Sequence, residues 1–549
     1  MASGPDRNAW RSSVEVLGLL GLLVVLLLRE ISDPDIWGYL VVGREIASTL
    51  AIPTHEFYLF PAVGEPATFT ALGYSLIHYG AYALAGYPGM AVVNALLIGG
   101  ALAILISVAG RFRPSVLEWP LLILVLAGAY ACLNFRTFYR PESTLYLFLA
   151  LEIYVLERWL DDRDNRRLLW LPVLSWAIAQ LHTTALLMVA VYGAYVCHWA
   201  LCANWRPVSS AARQAALLIG IGAAMLVLPI LNPNGIEQLL VNARVTGETN
   251  LIEYLPVWST IYRWHFVAIA LVATVAWLLS PARRYVDVFL LMGLGWLAFR
   301  YHRNVGLFAL VAIVPVARTL LHHAATGYAA IAPSRRRWIA GGLMVLGIAG
   351  LVGVTSLGGG WGVGIRAGTF PEEAVVLIPR AIPSGNVMNY FHLGGYLAWA
   401  LGPKYRLAVD GHFAHPSFAR EYHDRVMFGD PDWQALLARF DVRVIVTPAT
   451  MTLVGNLIPL VERLAEDPNW RLVNFEDGGL TFMLEEPGDR LPAFNKRVVW
   501  QQVWREASAI LARFPDRQGA RDALATAERH LWMQGQNSPI GPSKPRGLR

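Results

Sequence analysis

The chain has 549 residues, 55% of them hydrophobic and 15% charged, with a net charge of +6 and a mean hydropathy of +0.43. That composition excludes a wholly water-soluble globule, because long stretches need lipid as their solvent. It does not require nucleic acid as a partner either: most arginines stand in short loops beside apolar runs, where the positive-inside bias places them.

Residues 1–11 are short and basic and lead into an apolar run at 14–31. No small-x-small cleavage site precedes Asp33, so the run reads as an anchor rather than a removable signal. At its exit stands Asp33-Pro34-Asp35, two carboxylates on either side of a stiff proline, a preset pair of oxygens where a site would begin. The following loop, 32–89, is long for a helix connection. It holds an amphipathic stretch at 37–46, then Pro53-Thr54-His55-Glu56, then the half-apolar 74–87, and reads as two interfacial helices flanking a turn.

At about 20 apolar residues per crossing, further spans are expected at 90–109, 116–133, 143–160, 168–181, 184–201, 215–231, 264–279, 286–299, 305–321 and 338–356. The run 71–86 is ambiguous, and charge resolves it. If it lies along or re-enters the outer face, the basic loops at 111–113, 161–167, 206–213, 281–284 and 335–337 join the N-terminus in the cytoplasm. The result is eleven spans with the C-terminus outside. Asp33, Asp35, His55, Glu56, Arg136, Arg140, Glu142, His182, Asn232, Asn234, Glu253, Arg300, His302, Arg303 and Asn304 then share the outer side. Each alone reads equally as a solvated loop residue or a snorkelling arginine. The basic run Arg300 to Asn304 breaks the positive-inside pattern, so something anionic should compensate it.

The three cysteines, Cys132, Cys197 and Cys202, lie in or beside apolar segments and outline no disulfide framework. After the linker glycines Gly358-Gly359-Gly360, composition shifts to that of a globular α/β domain, 366–490. Helices are expected at 371–382, 393–401, 433–440 and 457–466, and strands at 386–390, 406–410, 442–447, 470–476 and 480–485. The last two strands form a hairpin across Asp477-Gly478-Gly479, and the alternation predicts a mostly parallel sheet. His392-Leu393-Gly394-Gly395-Tyr396 lacks the spacing of a nucleotide loop, and Asp410 with His412 and His415 lacks the fixed spacing of a metal site. A helical hairpin at 495–535 and a disordered tail at 536–549 complete the chain.

Ser32-Asp33-Pro34-Asp35-Ile36-Trp37-Gly38, Gly43-Arg44-Glu45-Ile46, Ile52-Pro53, Arg140-Pro141-Glu142, Gln180-Leu181-His182, Leu231-Asn232-Pro233-Asn234-Gly235 and Arg300-Tyr301-His302-Arg303-Asn304 resemble, in order, bacterial polytopic proteins of the GT-C glycosyltransferase superfamily. So does the passage from Gly394-Gly395-Tyr396-Leu397-Ala398-Trp399 to Val409-Asp410-Gly411. The resemblance covers 13–485. It implies a GT-C-like transmembrane domain, 1–357, with an extracytoplasmic α/β domain. It also implies transfer from a polyprenyl-phosphate sugar at the outer face of the cytoplasmic membrane, with an acid of the first outer loop, Asp33 or Asp35, serving the acceptor hydroxyl. The chain departs from the pattern in carrying Thr54-His55-Glu56 where relatives place an acid, and His412 where they place a basic residue.

Glycosyl transfer from a lipid phosphate needs a base, cations for the departing phosphate, and exclusion of water. The expected set is Asp35 and Asp33 as the catalytic acids, and Arg140, Arg300 and Arg303 on the donor phosphate. His55, Glu56, His182 and His302 would orient the partners. No cofactor is required; a divalent metal bridging Asp33 and Asp35 is the open alternative, two acids being few ligands for one. The expected partners are the bilayer, the lipid-linked donor and an acceptor that the sequence does not identify. A second class is a non-catalytic membrane subunit that binds a protein partner through its outer domain. A transporter is disfavoured, since no internal repeat is visible.

Overall fold

The structure is a computed structural model that describes residues 7–110, 119–136, 138–203, 208–240, 254–329, 331–357, 360–411, 417–452, 454–485 and 493–533. The expectations placed on 111–113, Arg206, Glu253, Gly358-Gly359, His412, His415 and the tail 536–549 lie outside those residues. The chain divides into two compact units, 1–33 with 70–365, and 34–69 with 366–549.

The first eight helices in chain order are α1 (Arg7–Leu26), α2 (Asp35–Thr49), α3 (Leu72–Gly110), α4 (Trp119–Leu133), α5 (Glu142–Asp162), α6 (Trp170–Leu181), α7 (Ala185–Cys202) and α8 (Val208–Val227). All but α2 belong to the first unit. Helices Arg263–Leu279, Tyr285–Arg300, Val305–Ala329 and Pro333–Leu357 complete the described part of that unit. Five stretches are long and apolar enough to cross a membrane: Leu72–Ala109, Ala185–Cys202, Val208–Ile230, His302–Ala324 and Ser334–Ser356. Shorter apolar helices stand at Leu17–Leu26, Trp119–Leu133 and Arg263–Leu279. The unit is a multi-pass membrane body, and helices suit it because lipid offers no partner to an unsatisfied backbone group.

Leu23, Leu102, Leu126, Leu149, Ile178, Met188 and Leu310 are fully buried in its core. Small residues let the helices approach. A side chain at Gly347 would meet Ile123 at 2.9 Å, and one at Gly99 would meet both Leu23 and Leu27 at 3.4 Å. The ambiguous run 71–86 and the span 90–109 form one helix, α3, broken at Ala85 and Gly86. Gly86 adopts φ 62°, ψ −153°, a conformation close to glycine-only, and Pro88 follows.

Two buried ion pairs stand inside the bundle. Toward the C-terminal end of α5, Arg284 donates to both oxygens of Glu157 at 2.7 and 2.6 Å, and Tyr195 donates to Glu157 at 2.8 Å. Beside them Arg318 Nη2 donates to both oxygens of Asp287 at 2.9 and 2.8 Å.

In the second unit a five-stranded sheet has the order β2-β1-β3-β5-β4, with β1 at Gly385–Asn389, β2 at Tyr405–Leu407, β3 at Val442–Thr447, β4 at Trp470–Glu476 and β5 at Gly479–Leu484. β1 runs parallel to β2 and β3, whereas β5 is antiparallel to both β3 and β4. The sheet is therefore mixed rather than mostly parallel. The turn between β4 and β5 is too short for a crossover and reverses the chain. Residues 34–69 pack into this unit. Trp37 of α2 meets Phe370 and Tyr396 edge-on at 5.3 and 5.1 Å, and Arg44 donates to the carbonyls of Trp399 and Ala398 at 3.0 and 3.1 Å. The backbone of Tyr58 and Phe60 brackets Leu407 of the edge strand β2. The apolar stripe of α2, including Ile36, Leu40, Val41 and Ile46, is thus covered by protein. Helices Arg497–Arg513 and Gln518–Met533 pack together, with Trp500 stacked on His530 at 3.7 Å.

Candidate functional site

Four chain segments bring charged groups together in the first unit. The first is the exit of α1, where the backbone of Glu30 and Ile31 pairs with the carbonyls of Gly360 and Gly364 at 2.7 and 2.8 Å, and the Tyr139 hydroxyl donates to the carbonyl of Arg29. This anchoring positions Asp33. The second runs from the short turn Asn134–Arg136 to Glu142, where Pro141 precedes the first residue of α5 and starts the helix. The third is His182, extended at φ −155°, where α6 ends. The fourth is the turn His302–Asn304 between two long helices.

Arg140 Nε donates to Asp33 Oδ2 at 2.6 Å, with the Asp33 side chain 5% exposed. Glu142 Oε1 receives Arg303 Nη2 at 2.8 Å and, on the same oxygen, Arg136 Nη2. Glu142 is 12% exposed and stands at a helix N-terminus, where the dipole favours an anion. Burial alone would raise its carboxyl, which precedes the apolar run 143–160. Arg136 and Arg303, with His182 and Arg140 further off, instead hold it well below the usual carboxylate range. Burial lowers His182 to about 4. Its Nδ1 accepts the Thr184 backbone N–H at 3.1 Å, which leaves the proton of the neutral ring on Nε2. The result is a low-dielectric site of forked guanidinium groups held by two carboxylates, an arrangement suited to an oxyanion.

The other expected residues make contacts of their own. His302 stacks on Tyr262 at 5.4 Å with the rings 5° apart, and its Nδ1 faces the Leu255 carbonyl at 3.2 Å. Arg300, the last residue of its helix, is exposed and lies over its neighbour Tyr301, 4.9 Å from the ring centre. In the second unit Asp35 opens α2, and its Oδ1 lies 2.9 Å from where a side chain on Gly411 would begin. His55 is exposed, with Nδ1 beside the Thr54 hydroxyl at 2.9 Å. Glu56 is buried and its Oε1 accepts the backbone N–H groups of Phe57, Tyr58 and Leu59 at 2.9, 3.0 and 3.1 Å, so the contact shapes the loop. Next to it the Tyr58 hydroxyl donates to Asp410. Burial first, then Asp410 and Glu56, push that phenol well above its ordinary value.

The sequence groups Arg136 and Glu142 with the residues expected on the outer side but gives them no task. The available signal was an acid directly after Arg-Pro at a helix start. Among the described residues no group of three or more His, Cys, Asp or Glu side chains could hold a metal ion.

No family model matches the sequence, and no curated protein matches it significantly. Solved structures do resemble it. The oligosaccharyltransferase of Archaeoglobus fulgidus in the apo form superimposes at a TM-score of 0.52 and 12% identity, covering 79% of this chain and 69% of that one. The archaeal oligosaccharyltransferase AglB of the same organism, in complex with an inhibitory peptide and a dolichol-phosphate, gives 0.49 and 10% over 97% and 87%. The mycobacterial arabinofuranosyltransferase AftD gives 0.40 and 13% over 88% and 40%. The first of these carries the fold alone: over 79% of its length the chain shares the fold of that oligosaccharyltransferase structure.

Proposed function

We propose that the protein transfers a sugar from a polyprenyl-phosphate donor to an acceptor hydroxyl at the outer face of a bacterial cytoplasmic membrane. The reading takes over the topology expected from the sequence, eleven spans with an extracytoplasmic α/β domain. The observation that carries the reading is the convergence of Arg136, Arg140 and Arg303 on two carboxylates within a GT-C-like body. As the acceptor oxygen bonds to the anomeric carbon, the bond from that carbon to the phosphate oxygen breaks. The departing lipid phosphate gains one negative charge, and the acceptor proton passes to a carboxylate. Cations fixed beforehand stabilise that growing charge more than the ground state, which is the condition for catalysis. Arg303 and Arg140 hold the phosphate, Arg300 meets the donor from the exposed rim, and Asp35 takes the proton. Asp33, joined to Arg140, orients that arginine, and His302 and the neutral His182 orient donor or acceptor. His55 and Glu56 shape the first outer loop.

Asp35→Asn should abolish transfer in proteoliposomes while leaving the thermal midpoint in place; near-wild-type turnover removes Asp35 from the mechanism. A second reading, a non-catalytic subunit, draws on Trp532 and Met533, which are 74% and 65% exposed where the last described helix ends. A stoichiometric copurifying partner together with no turnover would select it.

A further inference from the structure

We infer that Glu142 is a positioning and selectivity residue for the donor phosphate: it joins Arg136 and Arg303 into one clamp and, by cancelling one of their charges, biases the clamp toward the donor with fewer phosphate charges. The inference rests on the donor-phosphate reading above and deepens it.

The geometry is specific. One oxygen, Glu142 Oε1, receives both guanidinium groups, from residues 6 and 161 positions away in sequence. Neither arginine is left to find its own rotamer. Arg136 comes from the turn after α4, Arg303 from the turn before Val305–Ala329, and Glu142 sits between them as the first residue of α5. Arg303 also lies over the Tyr254 ring at 4.9 Å, which fixes the plane of its fork. A guanidinium has five N–H donors, and each arginine meets Glu142 through one Nη2. The triad carries two positive charges and one negative, and each substitution below changes that sum by a known step. A sugar linked through one phosphate is a monoanionic diester, and one linked through a diphosphate carries a second charge. A clamp with more positive charge must shift its relative affinity toward the second.

The experiment uses the full chain in lipid nanodiscs with two probes, a polyprenyl-phosphate sugar and the same sugar on polyprenyl diphosphate. It reads the ratio of their affinities by competition and native mass spectrometry. Glu142→Gln should move the ratio toward the diphosphate by about tenfold, and Arg136→Gln should move it by a similar factor the other way. The double variant Arg136→Gln with Glu142→Gln restores the charge sum and should return the ratio close to wild type. Glu142→Asp, which keeps the charge, should keep the ratio. A merely structural Glu142 would weaken both ligands together, leaving the ratio of Glu142→Gln at the wild-type value and that of the double variant at the Arg136→Gln value, and that result overturns the proposal. If Glu142→Gln does not fold, Arg136→Gln and the double variant decide alone. Wild-type protein that binds neither probe defeats the donor reading itself and this inference with it. Wild-type binding with an unmoved ratio defeats only the inference.

Discussion

Arg303→Ala probes the arginine cluster where its chemistry and its architecture separate. At a guanidinium-to-oxyanion distance of ~4 Å and an effective dielectric near 20, two unit charges interact by ~4 kcal/mol. A leaving phosphate that has gained about half its new charge in the transition state therefore gains ~2 kcal/mol from Arg303 by Coulomb attraction. The hydrogen bond adds to this and brings the loss into the range of ~2.7–4 kcal/mol known for removing one preorganised donor, a fall in kcat of about 10²–10³. The structural cost is smaller. Glu142 keeps Arg136 as a partner, so the loss of fold stability stays below the ~3–5 kcal/mol that follows when a buried charge is stranded. Arg300→Ala is the internal control: that side chain is exposed and solvent-screened, and should lose about tenfold less activity than Arg303→Ala. The assay is transfer of labelled sugar from a polyprenyl-phosphate donor in proteoliposomes, with the thermal midpoint measured on the same samples. An Arg303→Ala enzyme within threefold of wild type, or an Arg300→Ala enzyme equally damaged, would refute the assignment of the phosphate to the Glu142 cluster.

Gly411→Ala places a carbon 2.9 Å from Asp35 Oδ1 with no backbone penalty, because Gly411 is not in the left-handed region. It should cut kcat by about 10- to 100-fold through misplacement of the carboxylate and leave donor KM in place; an unchanged kcat would mean that the position of Asp35 does not matter. The pH dependence of stability should carry the signature of His182. Its folded value of about 4 lies below the free value of 6.5, so the unfolded chain binds the extra proton between the two. The stabilisation is present above about pH 6.5 and lost as pH falls toward 4, by ~3 kcal/mol in all. His182→Gln should flatten that part of the pH profile of unfolding, and an unaltered slope would show that the histidine is solvated.

Much of this architecture could be read one segment at a time. Val442–Thr447 is a continuous apolar run that could only be a buried strand, and β4 and β5 announce themselves by the glycines between them. Apolar length located the helices, and the loop charges put Asp33, Arg140, Glu142, His182 and Arg303 on one side, before any contact was known. The pairings between them were not legible. Asp33 and Arg140 are 107 residues apart, Glu142 and Arg303 are 161 apart, and nothing local specifies either bond. Arg300 and Arg303 look alike in sequence. Only the turn at His302–Asn304 separates an exposed arginine from one directed to Glu142. For α2 the apolar stripe was visible, but amphipathicity alone does not say whether lipid or protein covers it; Trp37 against Phe370 and Tyr396 answers that. Glu56 was read as an orienting acid and instead closes its own loop, because three backbone N–H groups lie within reach of one of its oxygens.

The central claim is that a sugar leaves a lipid phosphate here and arrives on a hydroxyl. The most direct test is phosphorus-31 NMR of purified protein incubated with a polyprenyl-phosphate sugar and a panel of hydroxylated acceptors. The account predicts conversion of the phosphodiester to free polyprenyl phosphate matched mole for mole by glycosylated acceptor, with both signals absent for Asp35→Asn. An unchanged phosphodiester signal with every acceptor, in protein that is folded and binds the donor, would contradict it.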